Sequence, residues 1–144
     1  MTSEPNINTY QPDDYETEKA SNGYLMSVVA VMVGLPLPII NLAATGFFYL
    51  GNRRSTYYVR WHCTQALLSQ VFIVAMNSVA LSWTLSIVFG DKILTNQYIA
   101  YIITIVIFNV VEFIMNIAAA IQTRKGKLVY LWLFSPLSDL LYRK

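Results

Sequence analysis

The chain has 144 residues, of which 56% are apolar and 12% are charged, and its formal net charge is +2. Soluble proteins carry about 25% charged residues, so this composition is typical of a chain whose solvent is the lipid bilayer. The small, scattered positive charge gives no reason to expect nucleic acid as a partner. The single cysteine, Cys63, excludes an internal disulfide and a cysteine-rich metal site.

The N-terminal segment differs sharply from the rest of the chain. Residues 1–23 are polar and acidic, and most of the acids in the chain lie at or before Glu18. Such a composition has too little apolar surface to order itself, so it predicts a disordered tail. Residues 24–144 are then expected to form one helical membrane domain.

The first long apolar segment covers residues 24–50 and contains no charge. A straight helix needs about 20 residues to cross the hydrocarbon core, so this segment is long enough for one span. Pro36 and Pro38 lie in its middle, and each removes a backbone donor and disfavours helical geometry in the residue before it. We therefore predict a span that is broken at these prolines. A re-entrant hairpin, with 24–34 entering and 39–50 returning, is the alternative.

Two further apolar segments predict spans at about 66–89 and 98–121. The C-terminal segment 128–142 is apolar but short, and Ser135-Pro136 interrupts it as an N-cap followed by proline at the first helical position. This segment is expected to lie in the membrane interface. The predicted fold is therefore an all-α integral membrane protein with three transmembrane helices and one interfacial helix.

The basic residues predict the orientation of these spans. Three arginines (Arg53, Arg54 and Arg60) follow the first span, and another basic group follows the third, whereas the tail and the loop between spans two and three hold one lysine each. Under the positive-inside rule, the C-terminus is cytoplasmic and the N-terminus lies outside. The expected location is a cell membrane, most naturally the inner membrane of a bacterium. The hairpin alternative would instead place the N-terminus inside.

Polar side chains inside the membrane are the candidate site. They are Asn41, Gln70, Asn77, Asn109, Glu112 and Asn116. One interpretation is that they converge on a polar cavity or path, and the other is that they pair across helices at about 0.6 kcal/mol each. Glu112 favours the functional interpretation, because a carboxylate at mid-bilayer costs on the order of 2.5–3.5 kcal/mol.

The start of the second span resembles a known family. The run Tyr58-Val-Arg-Trp-His-Cys-Thr-Gln-Ala-Leu-Leu-Ser-Gln70 resembles the F-V-R-x-[HN]-x-x-Q-A signature of the twenty-kilodalton chloroplast inner-envelope import component and of related small bacterial membrane proteins of unknown function. Ala118–Lys127 followed by Pro136 is similar to the ending of those proteins. The matched positions are Val59, Arg60, His62, Gln65, Ala66, Gly126 and Pro136. The resemblance implies a helical membrane protein that contributes to a protein-conducting channel or to its assembly.

Three functions follow as hypotheses from the sequence. The first is an accessory or assembly subunit of a larger membrane complex, such as a protein translocase, with other membrane subunits or further copies as partners. The second is a component of an oligomeric channel or transporter, with a polar path around Glu112. The third is a membrane enzyme, but no nucleophile–base set is visible, so we expect a protein without enzyme activity. We expect no cofactor and no metal site, because His62 is the only histidine and zinc needs at least three protein ligands.

Overall fold

The computed structural model describes residues 10–34, 38–131 and 134–142. Within these residues the secondary structure is entirely helical. The five helices are α1 (Asp14–Gly34), α2 (Pro38–Asn52), α3 (Tyr57–Val88), α4 (Asn96–Arg124) and α5 (Ser135–Tyr142). The all-α prediction is confirmed for the described part of the chain.

Helix α1 begins inside the segment that the composition predicts to be disordered. Asp13 and Glu16 form a capping box, because the amide of Glu16 donates to Asp13 Oδ1 at 2.8 Å and the amide of Asp13 donates to Glu16 Oε2 at 3.0 Å. The hydroxyl of Tyr10 also donates to the carboxylate of Glu16 at 2.7 Å. This hydrogen bond raises the pKa of Tyr10 to about 12. Residues 14–23 are therefore helical, and local capping outweighs their polar composition.

Helices α1 and α2 form an antiparallel hairpin. A Cβ placed on Gly23 of α1 would lie 3.6 Å from the ring of Phe48 in α2. Gly23 and Phe48 are almost equally far along the chain from the turn between the two helices, so the helices run in opposite directions. The prediction of three transmembrane helices is thus not confirmed. The break falls at the prolines as expected, with Pro36 itself outside the described residues, and the chain then turns back.

Among the described residues, helices α3 and α4 are the two that are long and apolar enough to cross a membrane. At 1.5 Å per residue, the 32 residues of α3 span about 48 Å and the 29 residues of α4 about 44 Å. Helix α4 ends in a Schellman motif, in which the amides of Gly126 and Lys127 donate to the carbonyls of Thr123 and Gln122. Gly126 has φ +74°, the left-handed conformation that this motif requires.

The buried core lies at one end of the bundle, which we call the collar end: it holds the starts of α1 and α3 and the ends of α2 and α4. The Tyr58 hydroxyl donates to the Thr123 carbonyl at 3.4 Å, and the ring of Tyr10 lies 6.4 Å from that of Tyr58. The described N-terminal residues therefore lie at the same end as the start of α3 and the end of α4. The sequence predicts the opposite end, because it assumes that residues 24–50 cross the membrane once.

Candidate functional site

Glu112 of α4 is at the centre of a buried polar cluster. Its Oε1 accepts a hydrogen bond from the Ser69 hydroxyl at 2.7 Å, one from Gln70 Nε2 at 2.8 Å and one from Asn116 Nδ2. Glu112 is 9% exposed, and the three donors are each exposed by 1% or less. We call these four residues the Glu112 cluster.

Helical spacing brings these residues together. Glu112 and Asn116 are four apart in α4 and therefore share a face, while Ser69 and Gln70 are neighbours in α3 that both reach the carboxylate. Asn116 Nδ2 also donates to the backbone carbonyl of Glu112 at 3.0 Å, which fixes the amide beside the carboxylate. The cluster thus joins the two long helices near the middle of α4.

A cavity of about 90 Å³ adjoins the Glu112 cluster. Its polar lining consists of Ser69, Glu112 and Asn116, and the remaining walls are apolar. Those walls are formed by Phe72, Ile73, Phe108, Val111, Met115, Leu131 and Phe134. A site of this kind combines a few polar groups with a low-dielectric wall, which strengthens electrostatic interactions within it.

The other predicted intramembrane residues do not join this cluster. Asn77 and Asn109 form a reciprocal amide pair between α3 and α4, with N–O distances of 3.0 and 2.8 Å. This pair matches the helix-joining role that the sequence left open for the asparagines. Asn41 lies in α2, and its side chain is outside the described residues.

His62 lies in an aromatic cluster at the collar end. Its Nδ1 is 2.9 Å from the hydroxyl of Tyr24, and its ring makes edge-on contacts with Tyr24, Tyr58 and Trp61 at centroid distances of 4.6 to 5.7 Å. His62 is fully buried. It joins α1 to α3 and is part of the buried core at the collar end.

Gln65 anchors the C-terminal segment to α3. Its Oε1 accepts from the Leu131 amide and from the Ser135 hydroxyl, both at 3.0 Å, and its Nε2 donates to the Val129 carbonyl at 3.3 Å. The sequence predicts Ser135 as the N-cap of α5. In the structure Ser135 is instead the first residue of α5, and its hydroxyl donates a hydrogen bond to Gln65. Trp61 Nε1 also donates a hydrogen bond to Asp139 Oδ1 at 2.9 Å, which further connects the C-terminal segment to α3.

The remaining residues of the sequence motif contribute to packing and chain direction. Val59 and Ala66 are buried in the two hydrophobic clusters at the collar end. Arg60 is half-buried and its carbonyl accepts from the Thr64 hydroxyl at 2.8 Å. Gly126 ends α4, and Pro136 lies exposed in the first turn of α5. The motif therefore describes how this bundle packs at the collar end.

Three participants in these contacts are not among the residues that the sequence analysis singles out as candidates: Tyr24, Ser69 and Asp139. Tyr24 stands at the boundary between polar and apolar sequence, where an aromatic hydroxyl commonly finds a buried partner. Ser69 lies next to Gln70, and nothing in the sequence alone pairs it with a residue 43 positions away.

These features define a small all-helical membrane protein whose two long helices hold a buried polar cluster. The chain belongs to the magnetosome magnetite crystal formation protein family (MamF_MmsF), whose model matches residues 20–137. Comparisons with curated proteins and with solved structures found no match.

This family membership corrects the sequence-based assignment. The relation to the chloroplast import component is not supported, and the translocase and channel functions inferred for the chain were wrong, because the family indicates biomineralization. The motif misled the functional assignment because its residues His62, Gln65 and Ala66 are fully buried and determine packing. Residues of that kind carry information about fold and much less about function.

Proposed function

We propose that this protein takes part in magnetite crystal formation as an integral protein of the membrane that surrounds the crystal. The observation that carries the proposal is the match of the family model to residues 20–137. Two features support a role inside the membrane: the apolar lengths of α3 and α4, and the exposed apolar side chains along them. Such side chains are stable in contact with lipid and would be costly in contact with water.

Deleting the gene from the organism that carries it tests this function. We expect fewer or smaller magnetite crystals in electron micrographs of the deletion strain, and recovery when the full-length chain is expressed again. Crystals of unchanged number and size in the deletion strain would overturn the proposal. So would an organism that carries the gene and forms no magnetite.

We further propose that the collar end faces the cytoplasm, together with the described N-terminal residues. Exposed basic residues are concentrated there, and Lys92 is the only base in the loop between α3 and α4. They are Arg53, Arg54, Arg124, Lys125 and Lys127. The positive-inside rule assigns such an end to the cytoplasm.

Cysteine labelling tests this orientation. Glu18 and Ile93 are exposed at opposite ends of the molecule, whereas the natural Cys63 is buried and can be replaced by alanine to give a background without reactive thiols. In isolated vesicles that are sealed with their cytoplasmic face outward, an impermeant maleimide is expected to label Glu18→Cys but not Ile93→Cys. Permeabilisation is expected to expose Ile93→Cys. Labelling of Ile93→Cys but not Glu18→Cys in the sealed vesicles would contradict the proposed orientation.

A further inference from the structure

The hydrogen bonds of the Glu112 cluster are unevenly distributed. All three donors reach Oε1, and no group among the described residues donates to Oε2. Two more acceptors of the same cluster, Asn116 Oδ1 and Gln70 Oε1, are buried and have no hydrogen-bond partner in the part of the chain that the structure describes. Buried acceptors of this kind are destabilising unless a donor or a cation meets them. The cluster therefore has acceptor oxygens in excess of donors.

The three donors bear on the charge of Glu112. Hydrogen bonds donated to a carboxylate are stronger than those donated to a neutral carboxylic acid, and they favour the ionised form. In that form the cluster carries one negative charge inside the membrane, which needs a positive partner.

The long helices place no lysine or arginine close to the Glu112 cluster. Among the residues of α3 and α4, the arginines are Arg60 and Arg124, close to the helix ends, and His62 lies in the aromatic cluster, about 10.5 Å from Ser69 along α3. Arg124 lies about 18 Å from Glu112 along the axis of α4, and Arg60 lies about 14 Å from Ser69 along that of α3, at 1.5 Å per residue. An intramembrane carboxylate is costly unless a partner balances its charge.

We propose that the Glu112 cluster binds one monovalent alkali cation in the adjoining cavity. The Glu112 carboxylate is the anionic ligand, and Asn116 Oδ1 and Ser69 Oγ are neutral oxygen ligands. All three residues line the cavity, whose volume of about 90 Å³ accommodates such an ion with a water molecule or two. This inference does not depend on the role in magnetite formation.

Charge and ligand type select the class of cation. Carboxylate, amide and hydroxyl oxygens are hard ligands, which suit alkali and alkaline-earth ions better than soft metals. A single carboxylate is neutralised by one positive charge. A divalent ion would leave a net positive charge among apolar walls, where an uncompensated charge is strongly unfavourable. Because Ser69 belongs to α3 and Glu112 to α4, the bound ion would stabilise the contact between the two helices.

Thermal unfolding of the purified full-length chain tests the proposal. Sodium or potassium chloride replaces choline chloride at constant ionic strength and constant neutral pH. Above the Kd, we expect Tm to rise by about 3–5 °C for each tenfold increase in Na⁺ or K⁺, since the ion binds only the folded chain. Glu112→Gln keeps the size of the side chain and removes the charge, so its Tm is expected to be insensitive to these ions.

A second variant keeps the proposal falsifiable if Glu112→Gln does not fold. Asn116→Asp adds a second carboxylate to the cluster, and its Tm is expected to respond to Mg²⁺ or Ca²⁺ more than to Na⁺. Asn77→Ser is the matched control, because it disrupts the neighbouring amide pair on the same two helices without changing the lining of the cavity. Its Tm should be lower than that of the wild type but retain the alkali-ion dependence.

Three results would overturn the proposal. One is a wild-type Tm that is equal in choline and in alkali chloride at every concentration, as expected if a proton neutralises Glu112. Another is the same alkali response in wild type and in Glu112→Gln, which would place the ion elsewhere. The third is a stronger stabilisation of the wild type by Mg²⁺ than by Na⁺, which would contradict the charge argument.

Discussion

Replacing Gln65 by leucine is expected to release the C-terminal segment from α3. The substitution removes the three hydrogen bonds that Gln65 makes with Val129, Leu131 and Ser135. Leucine keeps a similar volume but cannot pair with them, and each buried group left without a partner costs roughly 1–3 kcal/mol. The loss of stability is large because Gln65 is fully buried and its hydrogen bonds hold a stretch of backbone that has no regular secondary structure.

Hydrogen exchange measures this release directly. The Leu131 amide donates to Gln65 Oε1, so we expect a peptide covering residues 128–131 to exchange roughly 10- to 100-fold faster in Gln65→Leu than in the wild type. Gln122→Leu is the control, since Gln122 is exposed near the end of α4. Equal exchange in Gln65→Leu and wild type would show that other contacts hold the segment, such as the bond between Trp61 and Asp139.

Replacing Ala120 by leucine is expected to separate α1 from α4. Ala120 is 2% exposed and belongs to the core cluster with Tyr24, Ala66 and Leu131. Its carbonyl also accepts a hydrogen bond from the Ser21 hydroxyl at 2.9 Å. Three added carbon atoms have no space in this contact, and overpacking of a tight core costs about 1–3 kcal/mol.

The neighbouring Ala118 provides a matched control, because it is exposed on the same helix. We expect Tm to fall by roughly 3–10 °C in Ala120→Leu, while Ala118→Leu changes stability by no more than about 0.5 kcal/mol. Thermal unfolding in one detergent compares the two variants. A similar loss in both would mean that leucine disturbs α4 itself rather than its contact with α1.

The sequence predicted the two helices that are long and apolar enough to cross a membrane better than the two helices that pack beside them. Helices α3 and α4 contain long uncharged stretches, and that pattern depends on the bilayer alone. The hairpin of α1 and α2 depends on contacts between distant residues, such as Gly23 with Phe48 and Tyr24 with His62. No local pattern reports such contacts, so the length and composition of residues 24–50 favoured one broken span over the hairpin.

The beginning of α1 could have been predicted from local chemistry. Asp13 and Glu16 have the spacing of a capping box directly before the helix, but the acidic composition of the whole N-terminal segment obscured it. A composition average is informative for a whole segment, whereas a cap depends on two positions. Here the specific pair decides the structure.

For the candidate site, helical periodicity places Asn109, Glu112 and Asn116 on one face of α4, because they lie at positions i, i+3 and i+7. Glu112 and Asn116 meet in the cluster, whereas Asn109 pairs with Asn77 about one turn from Glu112. Which residues of α3 meet Glu112 depends on the register of α3 against α4, and the sequence does not contain that register explicitly. The family could not be identified from the motif around His62 and Gln65, since those residues form the core at the collar end.

We expect magnetite crystals to form normally only when this protein is present and correctly folded. Crystal size in a deletion strain, measured by electron microscopy after expression of wild type, Ala118→Leu or Ala120→Leu at matched protein levels, tests it most directly. Wild type and Ala118→Leu are expected to restore normal crystals, whereas Ala120→Leu, with its disturbed contact between α1 and α4, restores them only in part. Crystals of normal size in the deletion strain without any of these chains would contradict the claim.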